Sequence, residues 1–478
     1  MLRRLSSGWL SLMPALTPDH QLPMPTHLML ILASCLVSLH VAAQSVVRPN
    51  VLFIVVDDLN DWVGPLGGHP QSKTPNIDAL AKRGTLFSNA HAQAPVCNPS
   101  RVSLLMGLRP SSSGVHDNTD AMEQSPALTD LASLPEWLSQ KGYVTKGCGK
   151  VFHASSGEER FDQYGPSGGQ GPLPRKRLLM TNEASGSRLW DLGSYPGEEA
   201  QYHDVINSRW ASEQLLQTHT SPLFLAVGLY RPHVPLYAPK RFFDQHPLEQ
   251  IILPPSLAED MDDIPAYGRS LTYNPLPPSH HWFSQEDRWS RAVQAYLASV
   301  SFADDCIGRI MRALEAGPMA ENTWIILLSD HGFFLGEKHR WAKQALWERA
   351  TRVPLIMVPP RSLPSSINRA QICHAPVELL SLYPSILDAC GLDQPAHLEG
   401  RSIIPLLKDA TAPWPYPAIT TYGESNHALR TERWRYIRYA DGTEEIYDHA
   451  NDPHEWHNLA AQETVRQPVR ALVEQWIP

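Results

Sequence analysis

Apolar runs that recur along the chain, separated by segments of helical spacing, constrain its fold more than any other feature. The runs cover residues 51–56, 223–229, 324–328 and 353–358. Continuous Val, Ile and Leu are typical of strands that are buried on both faces of a parallel sheet. The longest helical segment, over 286–316, keeps its apolar residues on one face. This order predicts an α/β sandwich with a large, mostly parallel sheet that is flanked by helices.

The pattern changes after about residue 410. Short alternating strands such as 434–439, with a turn at Asp441 and Gly442, predict a small antiparallel C-terminal subdomain. A chain of 478 residues is long enough for one large domain and a smaller one. We therefore predict an N-terminal export signal and extension, a large α/β domain and a small α+β subdomain, at residues 1–44, 45–410 and 411–478.

The N-terminal segment has the features of an export signal. An apolar run over 27–41 is too short to span a membrane comfortably, so we expect no stable membrane span. The run ends in the small residues of 41–44, which are similar to a signal-peptidase site. Two alternatives stay open, because Met24 could be the true start and 32–35 also fits a lipoprotein box. We expect a periplasmic or secreted protein, with a lipoprotein as the second interpretation.

Charge and cysteine content exclude several classes of protein. A net charge of −9 argues against nucleic-acid binding, so an anionic substrate would need a local basic pocket. The six cysteines show neither metal-site spacing nor a dense disulfide framework. Cys373 and Cys390 are near enough in sequence to form a pair, although the pattern favours this only weakly.

Polar side chains stand at or just after the ends of four predicted strands. Each alone has an ordinary explanation, since paired acids often form turns and a single histidine is usually structural. The carboxyl ends of strands in an open α/β sheet are, however, where ligands bind. Together these side chains predict a functional site at one edge of the sheet. They are Asp57, Asp58, Lys150, His153, His233, Asp330 and His331.

The stretch 95–107 places a thiol at the start of a helix. Pro99 and Ser100 suit the first positions of a helix, so we expect Cys97 at its N-terminus. Backbone N–H groups and the helix dipole favour an anion there. For an arbitrary cysteine, a small buried core residue would be the better interpretation.

Cys97-Asn98-Pro99-Ser100-Arg101 resembles the signature of the type I sulfatases. The similarity extends from Asn50 to about Leu459 and is closest to the iduronate-2-sulfatase branch. His331 favours this branch, because many other sulfatases have Asn at that position. The resemblance implies an alkaline-phosphatase-like sandwich and hydrolysis of a sulfate monoester. Further supporting motifs are 57–59, 150–153, 231–233, 330–332, 335–337, 341–343, 447–448, 452–453 and 458–459.

The resemblance also implies the chemistry of the site. In this family the cysteine, here Cys97, is oxidised to formylglycine by a formylglycine-generating enzyme. Asp57, Asp58, Asp330 and His331 would hold one divalent cation together with the modified Cys97. Three carboxylates favour Ca²⁺ over Mg²⁺, although the softer His331 leaves the identity slightly open.

The remaining residues of the family site would bind substrate and move protons. Arg101 would orient the hydrated aldehyde, and Lys150 and Lys343 would bind sulfate oxygens. His153 and His233 would serve proton transfer, and the sequence leaves open which of them is the acid.

An acidic sugar carries a carboxylate that needs a further cationic partner, ideally an arginine. Arg430 is our candidate, with Arg433 nearby in the predicted subdomain. The alternative is that both arginines are solvated surface charges. The expected substrate is therefore a sulfated carbohydrate or another small sulfate ester.

Two other functions remain open from the sequence. Relatives of this fold use the same aldehyde on phosphorus, so a phosphodiester or phosphonate ester hydrolase is one alternative. The other is a secreted, calcium-bound carbohydrate-binding protein in which Cys97 is never oxidised.

Overall fold

A mixed eight-stranded sheet forms the centre of the fold in the computed structural model, which describes residues 48–153, 156–179, 187, 189–363 and 369–477. The strand order is β8-β2-β7-β6-β1-β5-β3-β4. Within this sheet β7 alone runs antiparallel to its neighbours. The strands are Asn50–Val56 (β1), Thr85–Phe87 (β2), Val144–Gly149 (β3), Gln163–Tyr164 (β4), Leu223–Leu229 (β5), Thr323–Ser329 (β6), Leu355–Val358 (β7) and Gln371–Cys373 (β8).

Helices cover both faces of this sheet and bury it completely at its centre. Alternate side chains of β1 enter opposite hydrophobic cores, with Leu52 in one and Phe53 in the other. The core of Leu52 also contains the long helix Arg288–Ala316. The predicted α/β sandwich is thereby confirmed. The main helices are Pro75–Ala81 (α1), Cys97–Met106 (α2), Leu134–Gln140 (α3), His203–Leu215 (α4), Arg288–Ala316 (α5), Leu382–Ala389 (α6) and Glu463–Val473 (α7).

The register of the central strands aligns their carboxyl ends at one edge of the sheet. Val56, the last residue of β1, lies opposite Leu229 at the end of β5 and Ser329 at the end of β6. On the far side of β5, Gly149 at the end of β3 lies opposite Gly228. The residues that follow these four strands therefore begin at the same edge of the sheet.

The strand predicted over 353–358 is divided in two. Arg352–Val353 pairs with Ala90–His91 in a separate small sheet, while Leu355–Val358 joins the large sheet as β7. Pro354 stands between them, and its missing N–H breaks the hydrogen-bond ladder. Its carbonyl accepts a hydrogen bond from Ser329 N at 3.2 Å, at the end of β6.

The predicted antiparallel sheet near the C-terminus is confirmed. It is a four-stranded meander of Ala418–Thr421 (β9), His427–Arg430 (β10), Trp434–Arg438 (β11) and Glu444–Asp448 (β12). Its first strand contacts the segment before Cys97, because Thr421 N donates to Gln93 O at 2.8 Å. The division of the chain at residues 410 and 411 stays a prediction.

Some expectations about the termini and cysteines can be compared with the described residues. The predicted export signal, its lipoprotein alternative and Cys35 lie outside them. Among the described helices, none combines the length and apolar character that a membrane crossing requires. Cys373 and Cys390 are both free and buried, so the pairing that their spacing allowed does not form.

Candidate active site

The edge of the sheet carries four buried ionisable side chains in two pairs. Asp57 and Asp58 directly follow β1, and Asp330 and His331 directly follow the neighbouring β6. All four are fully buried. The Asp58 backbone has φ +63°, in the left-handed region, and its N–H donates to Asp330 Oδ1 at 3.2 Å. The two strand ends are therefore joined through their acidic residues.

Cys97 is the first residue of α2 and lies against these acids. Its sulfur is 3.2 Å from His331 Nε2, 3.2 Å from Lys343 Nζ and 3.7 Å from Asp57 Oδ1. The side chain is buried with 1% of its surface exposed. Ser100 in the first turn donates from its hydroxyl to Asp330 O at 2.5 Å, which fixes the helix start against the end of β6. The predicted position of Cys97 at a helix N-terminus agrees with this geometry.

Arg101, one turn further along α2, neutralises part of the acidic cluster. Its Nε donates to Asp330 Oδ2 at 2.8 Å, and one terminal nitrogen lies 3.3 Å from Asp57 Oδ1. The other terminal nitrogen donates to the carbonyls of Lys150 and Val151. The guanidinium is fully buried, so it holds the carboxylates that surround the thiol.

Two lysines complete the charged cluster. Lys150 Nζ donates to Asp57 Oδ2 at 2.5 Å, and Lys343 Nζ donates to Asp58 Oδ1 at 2.5 Å. Lys150 reaches this position because Gly228 has no side chain. A Cβ atom on Gly228 would lie 2.1 Å from the backbone carbonyl carbon of Lys150. Each lysine thus pairs with one of the two adjacent aspartates.

The two predicted proton-transfer histidines flank the same cluster. His233 Nε2 is 4.0 Å from Asp58 Oδ2, and its Nδ1 lies 2.6 Å from Val234 O. His153 lies close enough to the Cys97 thiol to interact with it, while its Nδ1 is buried without a hydrogen-bond partner among the described residues. Both rings therefore lie beside the cluster that contains Cys97.

The cluster strongly perturbs the acidity of its members. Burial raises the pKa of the Cys97 thiol, but Lys150, Lys343 and His331 lower it more, and its net pKa lies well below that of an ordinary cysteine. Burial also raises the pKa of Asp330, to about 6, against the opposing effect of Arg101. Burial alone would lower the pKa of His331, but the adjacent Asp330 raises it to about 9.

The donor set fits a hard divalent cation. One ligand atom each from Asp57, Cys97, Asp330 and His331 lie within 4.8 Å of one another, and a second set joins Asp57, Asp58, Cys97 and His233. Asp58 Oδ2 is buried and has no hydrogen-bond partner among the described residues. An orphaned carboxylate oxygen in a fully buried group is costly unless a cation binds it. The residues therefore suit a divalent cation.

Arg430 is not brought together with this cluster. Its Nε donates to Glu348 Oε2 at 3.1 Å, and it also donates to the carbonyls of Thr431 and Glu432. It lines a separate cavity of about 650 Å³ with Arg349, Arg352 and Arg433 among others, and none of the residues around Cys97 lines that cavity. The guanidinium is largely buried, so it is not a solvated surface charge, while its contact with a substrate carboxylate stays a prediction.

The structure also adds residues that sequence reasoning missed. The Asp204 carboxylate accepts from the backbone N–H groups of Tyr230 and Arg231 at 2.7 and 2.9 Å, and Arg231 Nε donates to Tyr237 O at 2.8 Å. These contacts fix the loop that carries His233. The only signal for this role is that Asp204 is an acidic residue in the first turn of α4, where its side chain is buried.

Comparison with known proteins matches both parts of the chain. Residues 49–392 match the family profile described as Sulfatase, and residues 336–477 match one described as N-sulphoglucosamine sulphohydrolase, C-terminal. The chain is 40% identical over 467 residues to a sulfatase of Formosa agariphila, covering 94% of this chain and 91% of that protein. It is 33% identical over 393 residues to the iduronate 2-sulfatase of Homo sapiens, covering 72% of this chain and 70% of that protein.

A solved structure shares the fold as well. It shows a protein in complex with its substrate D-glucosamine-2-N,6-O-disulfate, and it aligns with a TM-score of 0.70 at 23% identity. The alignment covers 90% of this chain and 96% of that chain. At this identity the likeness shows a common architecture.

Proposed function

Because the chain belongs to the sulfatase family, and so to the hydrolases of sulfuric esters, we propose that it hydrolyses a sulfate monoester on a carbohydrate at Cys97, after oxidation of Cys97 to formylglycine. One observation carries this proposal. The Cys97 sulfur lies at a helix N-terminus and within 3.2 Å of both Lys343 Nζ and His331 Nε2. A side chain so placed can meet an anionic sulfate while positive groups balance the charge.

The hydrated aldehyde gives a chemical reason for the oxidation. One of its two hydroxyls attacks sulfur, the new O–S bond forms, and the S–O bond to the sugar alcohol breaks. The other hydroxyl then loses its proton, the C=O bond returns, and the C–O bond to the sulfate breaks so that sulfate leaves. An unmodified Cys or Ser could accept the sulfuryl group but has no such route to release it.

Proton transfer falls to the two histidines in this proposal. His153 lies close to the Cys97 thiol, and His233 Nε2 lies 4.0 Å from Asp58 Oδ2, so both rings flank the proposed site. One donates a proton to the leaving alcohol and the other accepts a proton from the hydrated aldehyde. Arg101 orients this centre through Asp57 and Asp330.

The sulfate oxygens would be bound by the two lysines. Lys150 and Lys343 each donate to an aspartate of the cluster, so their ammonium groups lie beside the Cys97 position. Asp57, Asp58, Asp330 and His331 would hold the divalent cation with the modified residue. When bound, that ion supplies charge neutralisation for the sulfate group.

The substrate class follows from the relatives. The human relative is named iduronate 2-sulfatase, and the solved structure described above contains a sulfated glucosamine. We therefore propose a sulfated saccharide, with a 2-sulfated uronic acid as the finer possibility to test. A contact between Arg430 and the substrate carboxylate stays a prediction, and in this structure the guanidinium pairs with Glu348.

Maturation and location complete the proposal. A formylglycine-generating enzyme would convert Cys97 during synthesis, and the signal in residues 1–44 would direct export to the periplasm or beyond. Mass spectrometry of the mature chain would identify both the modified peptide and the first residue after cleavage.

The decisive experiment combines a mass spectrum with a substrate panel. Protein made with a formylglycine-generating enzyme should carry the aldehyde at Cys97 and hydrolyse sulfate esters. The panel compares 2-sulfated uronic-acid oligosaccharides, neutral sulfated sugars, choline sulfate, an aryl sulfate and an aryl phosphodiester. An intact thiol in fully active protein would contradict the proposal. Faster hydrolysis of the phosphodiester than of the sulfate esters would show a phosphoesterase instead of a sulfatase. Equal rates on sulfated sugars with and without a uronate carboxylate would contradict only the uronic-acid assignment.

A further inference from the structure

The turn that carries the two adjacent aspartates, residues 57–60, has an unfavourable backbone conformation. Asp58 has φ +63°, and residues other than glycine pay of order 1 kcal/mol or more to adopt such a conformation. The turn is also fully buried, so its backbone groups need partners within the protein. Contacts from outside the turn must therefore hold it in place.

Tyr296, in the third turn of α5, supplies two of these contacts. Its hydroxyl donates to Asp58 O at 2.7 Å and accepts from Asn60 N at 2.9 Å. The ring is fully buried and lies edge-on to Trp62 and stacked on Phe333, with centroid separations of 5.4 and 5.5 Å. The packing of the ring thus fixes the position of the hydroxyl, and both of its hydrogen-bonding functions are used.

Ser329, the last residue of β6, supplies a third contact. Its Oγ accepts from Leu59 N at 3.0 Å, and it lies 2.9 Å from Val56 O and 2.8 Å from His331 O. The serine hydroxyl therefore links the end of β1 with the end of β6. Together, Tyr296 and Ser329 contact the backbone of residues on both sides of the Asp58 side chain.

We propose that Tyr296 and Ser329 are positioning residues for cation binding, and that the Tyr296 hydroxyl is the stronger of the two. Neither hydroxyl is hydrogen-bonded to the Asp58 carboxylate, which pairs with Lys343 through one oxygen and has no hydrogen-bond partner on the other among the described residues. Both act by holding the left-handed backbone that aims this carboxylate at the Cys97 cluster. This inference rests on the cation site of the proposed function.

Removing the Tyr296 hydroxyl leaves the Asp58 carbonyl and the Asn60 N–H without their buried partner. The turn then relaxes toward an ordinary conformation, and the Asp58 carboxylate no longer points into the Cys97 cluster. In Tyr296→Phe we expect the dissociation constant for Ca²⁺ to rise at least tenfold. Ser329→Ala should weaken binding in the same direction by a smaller factor.

The experiment is a calorimetric titration of Ca²⁺ into metal-depleted full-length protein, beside melting curves without metal. Tyr383→Phe is the matched control. Tyr383 is also fully buried and donates to a backbone carbonyl, Ala132 O at 3.1 Å, but it lies in the opposite core. Both variants should melt at lower temperature than the wild type, while only Tyr296→Phe loses affinity and Tyr383→Phe stays within twofold.

If Tyr296→Phe binds Ca²⁺ with the affinity of the wild type, the inference is wrong and the hydroxyl serves only the stability of the fold. If Tyr296→Phe does not fold, unchanged affinity in Ser329→Ala overturns it, and weakened affinity supports it. A wild-type protein that binds no Ca²⁺ would instead overturn the cation site of the proposed function.

Discussion

The sulfur atom of Cys97 gives the sharpest prediction at the scale of single residues. In Cys97→Ala we expect no turnover and an intact fold, because the side chain loses its reactive atom but little volume. Cys97→Ser should take up one sulfuryl group and stall, since a single hydroxyl has no route to release it. Intact-mass spectrometry after incubation with substrate checks both results. Multiple turnovers by the serine variant would contradict the role of the hydrated aldehyde.

The Arg101 guanidinium carries a second prediction, about stability. Arg101→Leu removes the partner of two buried carboxylates, Asp57 and Asp330, and should cost about 3–5 kcal/mol of unfolding free energy. Arg209→Ala is the comparison, because Arg209 forms an exposed pair with Glu213 and should cost less than about 1 kcal/mol. Urea denaturation followed by circular dichroism measures both. Equal stabilities in the two variants would contradict a buried charge network.

At the scale of elements, the close approach of β3 and β5 is the feature to test. Gly228→Ala would place a Cβ atom 2.1 Å from the Lys150 carbonyl carbon, which is backbone and cannot give way easily. We expect a loss of about 3 kcal/mol and a fall in activity, because Lys150 is displaced with the strand. Gly169→Ala is the control, since its nearest atoms would be 3.7 Å away. Denaturation midpoints and sulfate-ester rates together check the result.

The same elements show how far the sequence could go. The apolar run at 223–229 predicted β5 with its observed bounds, because a buried strand needs little beyond its own hydrophobicity. The break at Pro354 could be anticipated locally, but the antiparallel direction of β7 depends on which strand it pairs with.

Side-chain pairs between segments that are distant in sequence could not be predicted from hydrophobic patterns. Arg430 pairs with a glutamate 82 residues away, and Tyr296 bonds a turn 238 residues away. In contrast, Asp57 and Asp330 could be grouped in advance, because parallel strand ends share one edge. Cys97 was placed with them only by the family resemblance. Pairings between loops have no comparable rule.

At the scale of the whole molecule, a bound cation should stabilise the fold. It would join the end of β1, the end of β6 and the start of α2, so removing it loosens three elements at once. At a free Ca²⁺ concentration 100-fold above the dissociation constant, the gain is about 2.7 kcal/mol. We expect the wild type to melt at lower temperature after chelation, while Asp330→Ala shows no such response. Identical melting curves with and without chelator in the wild type would exclude a structural contribution from the ion.

The burial of Cys97 has a consequence for the maturation of the protein. With 1% of its surface exposed, the thiol is out of reach of any macromolecular catalyst once the chain has folded. If Cys97 is oxidised as proposed, the oxidation has to take place before the chain folds, while the thiol is still accessible. A preparation would then be a mixture of oxidised and unoxidised molecules whose proportions are set before folding, and its specific activity would measure the oxidised fraction.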